Sequence, residues 1–332
     1  MKHLFLTWIR NPKIIIATAC AFLVVVFFLF FNSVDIPIIG GGNGGVVRSG
    51  ETACAAARPW AVMLSGDALT RPLSGIASAS VVFEMPVTPN GVTRTMAIFC
   101  NLPERIGSVR SVRAEFVPFV SATRSILVHW GGEAGALDRV RAQKLDRVDG
   151  MLYDGIYFTR SQAPSAPHNG FTSASLLKKA AEKLGIPTSG SLGDFPRGDV
   201  VPQKSLGSLV SRVDVPYLPP FDVSWAYDAT TKRYARARNG APEVDGRNGG
   251  RVFADAVVTV RAPAEQLRDQ YLSIALAGER PATVYQAGTA TSAIWSLEGD
   301  ALTLLGVDRK PLTLQYGVVW IQIIPEGIAS TL

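Results

Sequence analysis

The chain has 332 residues, of which 47% are hydrophobic and 18% are charged, and its formal net charge is +6. This composition excludes a disordered chain, and the length suffices for one large or two ordinary domains. Lys and Arg form no extended run after residue 33, so no nucleic-acid partner is expected.

An apolar segment, residues 14–31, dominates the N-terminal region and carries no charged residue. As an α-helix it would be about 27 Å long, close to the thickness of the hydrocarbon core of a bilayer. Lys2, Arg10 and Lys13 precede it without any acidic residue. By the positive-inside rule, residues 1–13 form a cytoplasmic tail and the rest of the chain lies outside the cytoplasm. The sequence therefore predicts a single-pass signal anchor in a bacterial cell membrane.

Two alternatives to this anchor stay open, a cleaved signal peptide and a lipoprotein signal at Cys20. The apolar run ends in Phe30–Phe31–Asn32–Ser33, which lacks the small residues of a cleavage site. Its most apolar part, residues 22–31, follows Cys20, where a mature lipoprotein would already have left the membrane.

Residues 32–57 contain a glycine run and are predicted to form a flexible stalk. Residues 58–190 are predicted to form a mixed α/β domain, because short apolar runs alternate with helical spacings. The predicted strands are 58–64, 81–85, 93–99 and 125–130. The predicted helices are 111–123, 133–148 and 176–184.

A stretch rich in Pro and Gly, residues 191–220, is predicted to be a linker to a second domain, residues 221–328. Short apolar segments separated by turn residues predict a mostly antiparallel sheet or small barrel there, with at most one helix near 264–272. The expected strands are 251–260, 282–285, 293–297, 301–305, 312–316 and 318–324. The fold class is therefore α+β, behind one N-terminal transmembrane helix.

The cysteine content suits an extracytoplasmic location, because Cys54 and Cys100 are the only cysteines outside the apolar segment. In an oxidising compartment such a pair can form a disulfide. The alternative is two separate thiols, with Cys54 in the flexible stalk.

Three residues are candidates for acid–base chemistry. His129 follows an apolar strand and precedes a glycine turn, and His168 lies in a loop stiffened by Pro164 and Pro167. Rigid strands that end in open loops are common positions for site residues. Glu84, at a strand end, is the third candidate. The structural alternative for the histidines is hydrogen bonding within their own loops.

Arginines accumulate in the same half of the chain. Arg94, Arg110, Arg113 and Arg160, with Asn169, are candidate ligand-binding residues, because guanidinium groups match carboxylate and phosphate geometry. The alternative is a buried bridge from Glu84 to Arg94 or Arg113. A metal site is disfavoured, since no histidine pair has a ligand spacing, and no cofactor is expected.

Several short motifs resemble those of the YerB-like family of bacterial envelope proteins. Their order and spacing agree over more than a hundred residues. They include Arg58–Pro59, Val82–Phe83–Glu84, Gly91–Val92–Thr93–Arg94, Ile106–Gly107–Ser108–Val109–Arg110–Ser111–Val112–Arg113, Val128–His129–Trp130–Gly131–Gly132 and Ala166–Pro167–His168–Asn169, followed by Trp225–Ala226–Tyr227–Asp228 in the second half.

The resemblance implies a two-domain extracytoplasmic protein without an established reaction. This chain departs from the family pattern in two places. A long apolar anchor replaces a clear lipidation signal, and Glu243–Val244 stand where a histidine is expected before Asp245.

Two functions from different classes are consistent with the sequence. The first is binding of an anionic glycan, lipid phosphate or peptide through the arginines and histidines. The second is a cell-wall hydrolase or transferase, with Glu84 or His129 as base, His168 as acid, and Arg110 and Arg113 stabilising negative charge. The second requires Glu84, His129 and His168 to lie around one pocket. The sequence contains no nucleophile elbow, P-loop or dinucleotide fingerprint.

Overall fold

The computed structural model describes residue 54 and residues 57–193, 195–198, 208–268 and 270–327. The predicted tail, the predicted anchor and nearly all of the stalk lie outside these residues. Within the described ranges, no helix has the length and apolar character needed to cross a membrane.

The first half of the described chain contains strands β1 Trp60–Ser65, β2 Val81–Pro86, β3 Thr93–Phe99, β4 Ile106–Gly107, β5 Ile126–His129, β6 Arg147–Asp149, β7 Thr159–Arg160 and β8 Gly170–Thr172. The helices are α1 Val117–Ala122, α2 Ala134–Ala142, α3 Gly150–Tyr153 and α4 Ala174–Leu184. The second half contains strands β9 Arg197–Gly198, β10 Ser208–Leu209, β11 Arg212–Val215, β12 Val223–Asp228, β13 Arg233–Arg238, β14 Ala241–Pro242, β15 Phe253–Ala254, β16 Ala256–Arg268, β17 Tyr271–Ile274, β18 Gly278–Gln286, β19 Thr289–Glu298, β20 Ala301–Gly306, β21 Leu314–Gln315 and β22 Val319–Glu326.

One large sheet runs through both halves in the order β10-β19-β18-β16-β22-β2-β3-β1-β5-β6, with β17 on β16 and β20 on β19. The C-terminal strand β22 lies between β16 and β2 and is parallel to both. Its apolar sequence suits a strand that is buried on both faces. The second half is therefore not a separate antiparallel meander, because its last strand continues the sheet of the first half.

Apolar side chains cover both faces of this sheet. On one face, Phe83 stacks on Phe119 of α1 with ring centroids 4.3 Å apart. On the other, Trp320 meets Trp225 of a smaller sheet built from β11 to β15, with centroids 5.2 Å apart. We call these the α1 face and the Trp face.

All four predicted strands of the first half are confirmed, and the predicted helix 176–184 is confirmed as α4, which follows a Ser173 cap and ends before Gly185. The predicted helix 111–123 begins only at Val117, where Pro118 occupies the first turn and needs no hydrogen-bond partner. The predicted helix 133–148 ends at Ala142, and the chain then forms β6, which pairs with β5.

The helix that the sequence allowed near 264–272 is not formed in the described residues. Strand β16 continues to Arg268 and turns back into β17, with Ala264 opposite Ile274. Cross-strand pairing here overrides the helical spacing, because the hairpin satisfies the backbone hydrogen bonds.

Within the predicted linker, β9 pairs with β21 and β10 pairs with β19. The predicted domain boundaries stay predictions.

Candidate functional site

Arg94 is a buried charge in the centre of the sheet. It lies in β3 between Ser65 of β1 and Met85 of β2, at the carboxyl ends of both strands, and is 4% exposed. Its Nη1 donates to the carbonyl of Ser111 at 3.3 Å. The carboxyl ends of strands are the usual place for ligands in open α/β sheets.

The segment 108–113 places two further arginines near the same carboxyl ends of β1 and β2. The N–H of Arg110 donates to the carbonyl of Met63 at 2.9 Å, and the carbonyl of Arg110 accepts from the N–H of Trp130 at 3.0 Å. The N–H of Val112 donates to the carbonyl of Gly131 at 3.0 Å. The segment is thus held between β1 and the turn after β5, so Arg110 has a fixed position beside Arg94.

A loop containing His168 closes over this segment. Arg110 Nη1 donates to the carbonyl of Pro167 at 2.7 Å, and the hydroxyl of Ser108 donates to the carbonyl of His168. His168 Nε2 lies 4.0 Å from Asp67 Oδ2, and their side chains are 13% and 28% exposed. The side chains of Asp67 and His168 therefore remain open to solvent.

The tight turn between β1 and Asp67 depends on Gly66. A Cβ atom at this position would lie 2.3 Å from the carbonyl oxygen of Thr93. Only glycine permits this approach without a backbone shift. The turn brings Asp67 beside the residue that follows Thr93, which is Arg94.

Arg113 reaches a residue of the second half. Its guanidinium carbon lies 4.6 Å from the ring centroid of Tyr271 in β17, a cation–π arrangement. The N–H of Leu272 donates to the carbonyl of Val87 at 3.2 Å, which fixes the β16–β17 hairpin against the first half. The second half therefore contributes to the position of Arg113.

We define Arg94, Arg110, Arg113, His168 and Asp67 as the open cluster. Burial, with the charges of Arg110 and Arg113, lowers the pKa of Arg94 well below its ordinary value. Burial and the nearby Arg110 likewise lower the pKa of His168, so its neutral form is favoured. Among the described residues, no carboxylate forms an ion pair with any of the three arginines. Their buried Nε atoms also lack hydrogen-bond partners.

Glu84 lies in a different arginine group. Its carboxylate accepts from Arg236 at 2.6 Å and from Arg238, and Thr93 donates to it at 2.9 Å. Glu243 is the second acid and accepts from Arg236 at 2.7 Å. We define Glu84, Glu243, Arg236 and Arg238 as the paired cluster. The predicted bridge from Glu84 to Arg94 or to Arg113 is wrong, because Glu84 pairs with arginines of β13 instead.

The paired cluster is closed to solvent. Arg236 is fully buried against the rings of Trp225 and Trp320, whose centroids lie 5.0 and 4.1 Å from its guanidinium carbon. Asp245, also buried, accepts from the N–H groups of Gly75 and Ala77, each at 2.9 Å. These contacts connect the two halves of the chain.

His129 is also buried. Its Nδ1 lies 2.8 Å from the carbonyl of Gly131 and 3.8 Å from Asp149, and its Nε2 has no partner. Burial lowers the pKa of His129, although Asp149 opposes this shift. Asp149 itself accepts from the N–H groups of Gly131 and Met151. His129 thus supports the turn after β5.

The structure does not bring the three candidate acid–base residues together. His129 follows Leu127 on the α1 face, whereas Glu84 follows Val82 on the Trp face. Within the described chain, no hydrogen bond or ion pair joins any two of Glu84, His129 and His168. The geometry required for a hydrolase or transferase built on these residues is absent from this part of the chain.

Arg160 and Asn169 form a surface pair beside the open cluster. Arg160 donates to Asp154 at 2.8 Å and to Asn169 at 2.9 Å, and its guanidinium carbon lies 4.1 Å from the ring centroid of Trp130. Because Arg160 already has an acid and an aromatic partner, it is less available to a ligand than Arg94.

Cys54 and Cys100 form a disulfide, with Cα atoms 4.9 Å apart. It attaches the start of the described chain to the end of β3.

Among the described residues, no group of three His, Cys, Asp or Glu side chains is arranged to hold a metal ion.

The fold and the site define a two-part sheet protein with an arginine-rich edge. Two family models match the chain: the N-terminal domain of a protein of unknown function (DUF3048) over residues 45–187, and its C-terminal domain over residues 213–321. The chain therefore belongs to the DUF3048 family.

A relative with a similar sequence confirms the resemblance to YerB. The chain is 29% identical over 280 residues to the "Putative lipoprotein YerB" of Bacillus subtilis strain 168, which covers 83% of each protein. A crystal structure of YerB from Bacillus subtilis has a TM-score of 0.74 and 28% identity, covering 83% of this chain and 93% of that one. The similarity confirms a two-domain, mostly-sheet fold with few helices.

Proposed function

We propose that this is a membrane-anchored extracytoplasmic protein that binds an anionic ligand of the cell envelope at the open cluster. One observation carries the proposal. Among the described residues, no carboxylate forms an ion pair with the buried Arg94 or with its two neighbours Arg110 and Arg113. A buried unpaired charge is costly, and an anionic ligand would compensate for it.

The position outside the cytoplasm is supported by the sequence. The apolar segment 14–31 follows three basic residues, which favours a single-pass anchor with the N-terminus inside. The disulfide between Cys54 and Cys100 suits an oxidising compartment.

Three kinds of envelope ligand carry the negative charge that the open cluster would compensate: a glycan carboxylate, a lipid phosphate and a peptide carboxylate.

A binding titration of the full chain in mild detergent tests the proposal. Inorganic phosphate and acetate serve as probes, and Arg94→Gln is compared with Arg141→Gln. Arg141 is a good control because it is exposed and, within the described part of the chain, its ion pair is with Asp138 on the surface of α2. Both substitutions remove one positive charge from the protein.

We expect wild type and Arg141→Gln to bind at least one anion equally well, and Arg94→Gln to bind it at least about tenfold more weakly, since a charge-assisted hydrogen bond is lost. Equal binding by all three proteins, or no binding of either anion by wild type, would contradict the proposal.

A further inference from the structure

The open cluster carries more positive charge than one carboxylate neutralises. Arg94 interacts electrostatically with Arg110, Arg113 and Asp67, so three positive charges and one negative charge leave a formal +2. His168 adds little to this sum near neutral pH, because burial and the nearby arginine favour its neutral form.

We infer that the open cluster binds the dianionic phosphate group of a phosphate monoester. This inference rests on the proposed function and specifies the ligand. At neutral pH a phosphate monoester carries a charge of about −1.5 to −2 and three strong acceptor oxygens. A carboxylate or a phosphodiester carries a single negative charge, which leaves part of the arginine charge uncompensated.

The donors of the open cluster match this group in number as well as in charge. The three guanidinium groups lie within electrostatic range of one another, and a phosphate monoester has three terminal oxygens. Arg94 uses one Nη atom on the carbonyl of Ser111 at the long distance of 3.3 Å, and Arg110 uses one on the carbonyl of Pro167. The remaining nitrogens can bind in the forked geometry that arginine adopts with phosphate.

The site is partly enclosed, which strengthens its electrostatics. Arg94 is 4% exposed, whereas the side chains of His168 and Asp67 are 13% and 28% exposed. In such a low-dielectric setting a second ligand charge contributes more than it would in water. Two further charged residues lie near the open cluster. Arg71 interacts electrostatically with Asp67, and Glu115 interacts electrostatically with Arg113.

Calorimetric titration of the full chain in mild detergent separates the ligand classes. The probes are methyl phosphate, dimethyl phosphate, acetate and sulfate, with Arg141→Gln as the control for Arg94→Gln. We expect methyl phosphate to bind at least about tenfold more tightly than dimethyl phosphate or acetate. Lowering the pH from about 7.5 to about 5.5 should weaken methyl phosphate but not sulfate, because only the phosphate gains a proton near pH 6.

A second pair of probes distinguishes a soluble from a lipid source of the same chemistry. Glycerol 3-phosphate and dihexanoyl phosphatidic acid both present a monoester, and dihexanoyl phosphatidylglycerol is the diester control. Preference for either monoester over the diester supports the inference, and the tighter of the two identifies the source.

Two results would overturn the inference in distinguishable ways. In the first, dimethyl phosphate or acetate binds as tightly as methyl phosphate and Arg94→Gln abolishes this binding. The anion site is then supported, but its selectivity for a dianion is refuted. If no anion binds wild type, or Arg94→Gln binds as wild type does, the proposed function itself is wrong.

Discussion

Two arginine clusters lie on opposite faces of the same sheet and differ in one respect. In the paired cluster, Arg236 and Arg238 share the carboxylates of Glu84 and Glu243. In the open cluster, three arginines lie near a single aspartate that forms no ion pair with them. The comparison shows that arginines occur in both clusters, whereas among the described residues carboxylates pair with them in only one.

The physical cost of the two clusters is also different. A buried ion pair with hydrogen bonds recovers much of its desolvation penalty, but removing one partner leaves an uncompensated charge. Arg94 already has this penalty in the unliganded protein. Retaining such a residue lowers stability, and such costs are typical of functional sites.

The largest expected effect comes from breaking the paired cluster. Glu84→Gln should lower the free energy of unfolding by about 3–5 kcal/mol, because Arg236 and Arg238 then share one carboxylate. Urea unfolding of the full chain measures this change. Glu279→Gln is the matched control, since Glu279 pairs with Arg309 at the exposed surface and should unfold near the wild-type midpoint. Equal midpoints for both variants would refute the structural role of Glu84.

The disulfide should have the next largest effect. Replacing Cys54 and Cys100 together by serine should lower stability by about 4 kcal/mol, because the bond closes a loop with a sequence separation of 46 residues. Thermal unfolding of the oxidised wild type, the reduced wild type and the double variant tests this. The last two should agree, and a reduced wild type that melts with the oxidised protein would contradict the prediction.

Acidification should destabilise the protein through His129. Burial lowers the pKa of His129 in the folded state, so the unfolded chain binds the proton more readily. Stability is therefore full above the ordinary value of about 6.5 and falls as the pH drops below it, with a slope of at most about 1.4 kcal/mol per pH unit for one proton. Urea unfolding between about pH 7.5 and 5 should show a shallower slope for His129→Asn. An unchanged slope would show that other groups cause the acid sensitivity.

The smallest expected effect concerns Tyr271, which positions Arg113 from the second half. Tyr271→Leu should weaken binding of methyl phosphate by about fivefold through loss of the cation–π contact, whereas Tyr271→Phe should bind like wild type. Titration of both variants at matched thermal stability tests this. If both variants bind equally, Tyr271 does not position Arg113.

Local patterns predicted much of the first half. The apolar runs gave β1, β2, β3 and β5, because strands buried on both faces need continuous apolar sequence. Arg94, Arg110 and Arg113 were predicted as ligand-binding residues and His168 as a candidate acid. The structure places these four side chains near one another, and their role as a site stays a prediction.

Long-range pairing could not be predicted in the same way. Glu84 and Arg236 are 152 residues apart, and nothing local indicates that β13 packs against β2. The alternation in Arg233–Tyr234–Ala235–Arg236–Ala237–Arg238 is typical of a half-exposed strand with outward arginines. Here Arg236 and Arg238 are buried instead, because two acids lie opposite them. The contact of Tyr271 with Arg113 was not predicted, because the sequence allowed a helix where Tyr271 lies in strand β17.

The most direct test compares Arg94→Met with Arg236→Met by urea unfolding of the full chain without added anion. Removing the unpaired charge of Arg94 should leave the free energy of unfolding unchanged or higher. Removing Arg236 should lower it by about 3–5 kcal/mol, because two carboxylates lose a buried partner. If Arg94→Met is destabilised as much as Arg236→Met, Arg94 is a structural residue and the open cluster is not a ligand site.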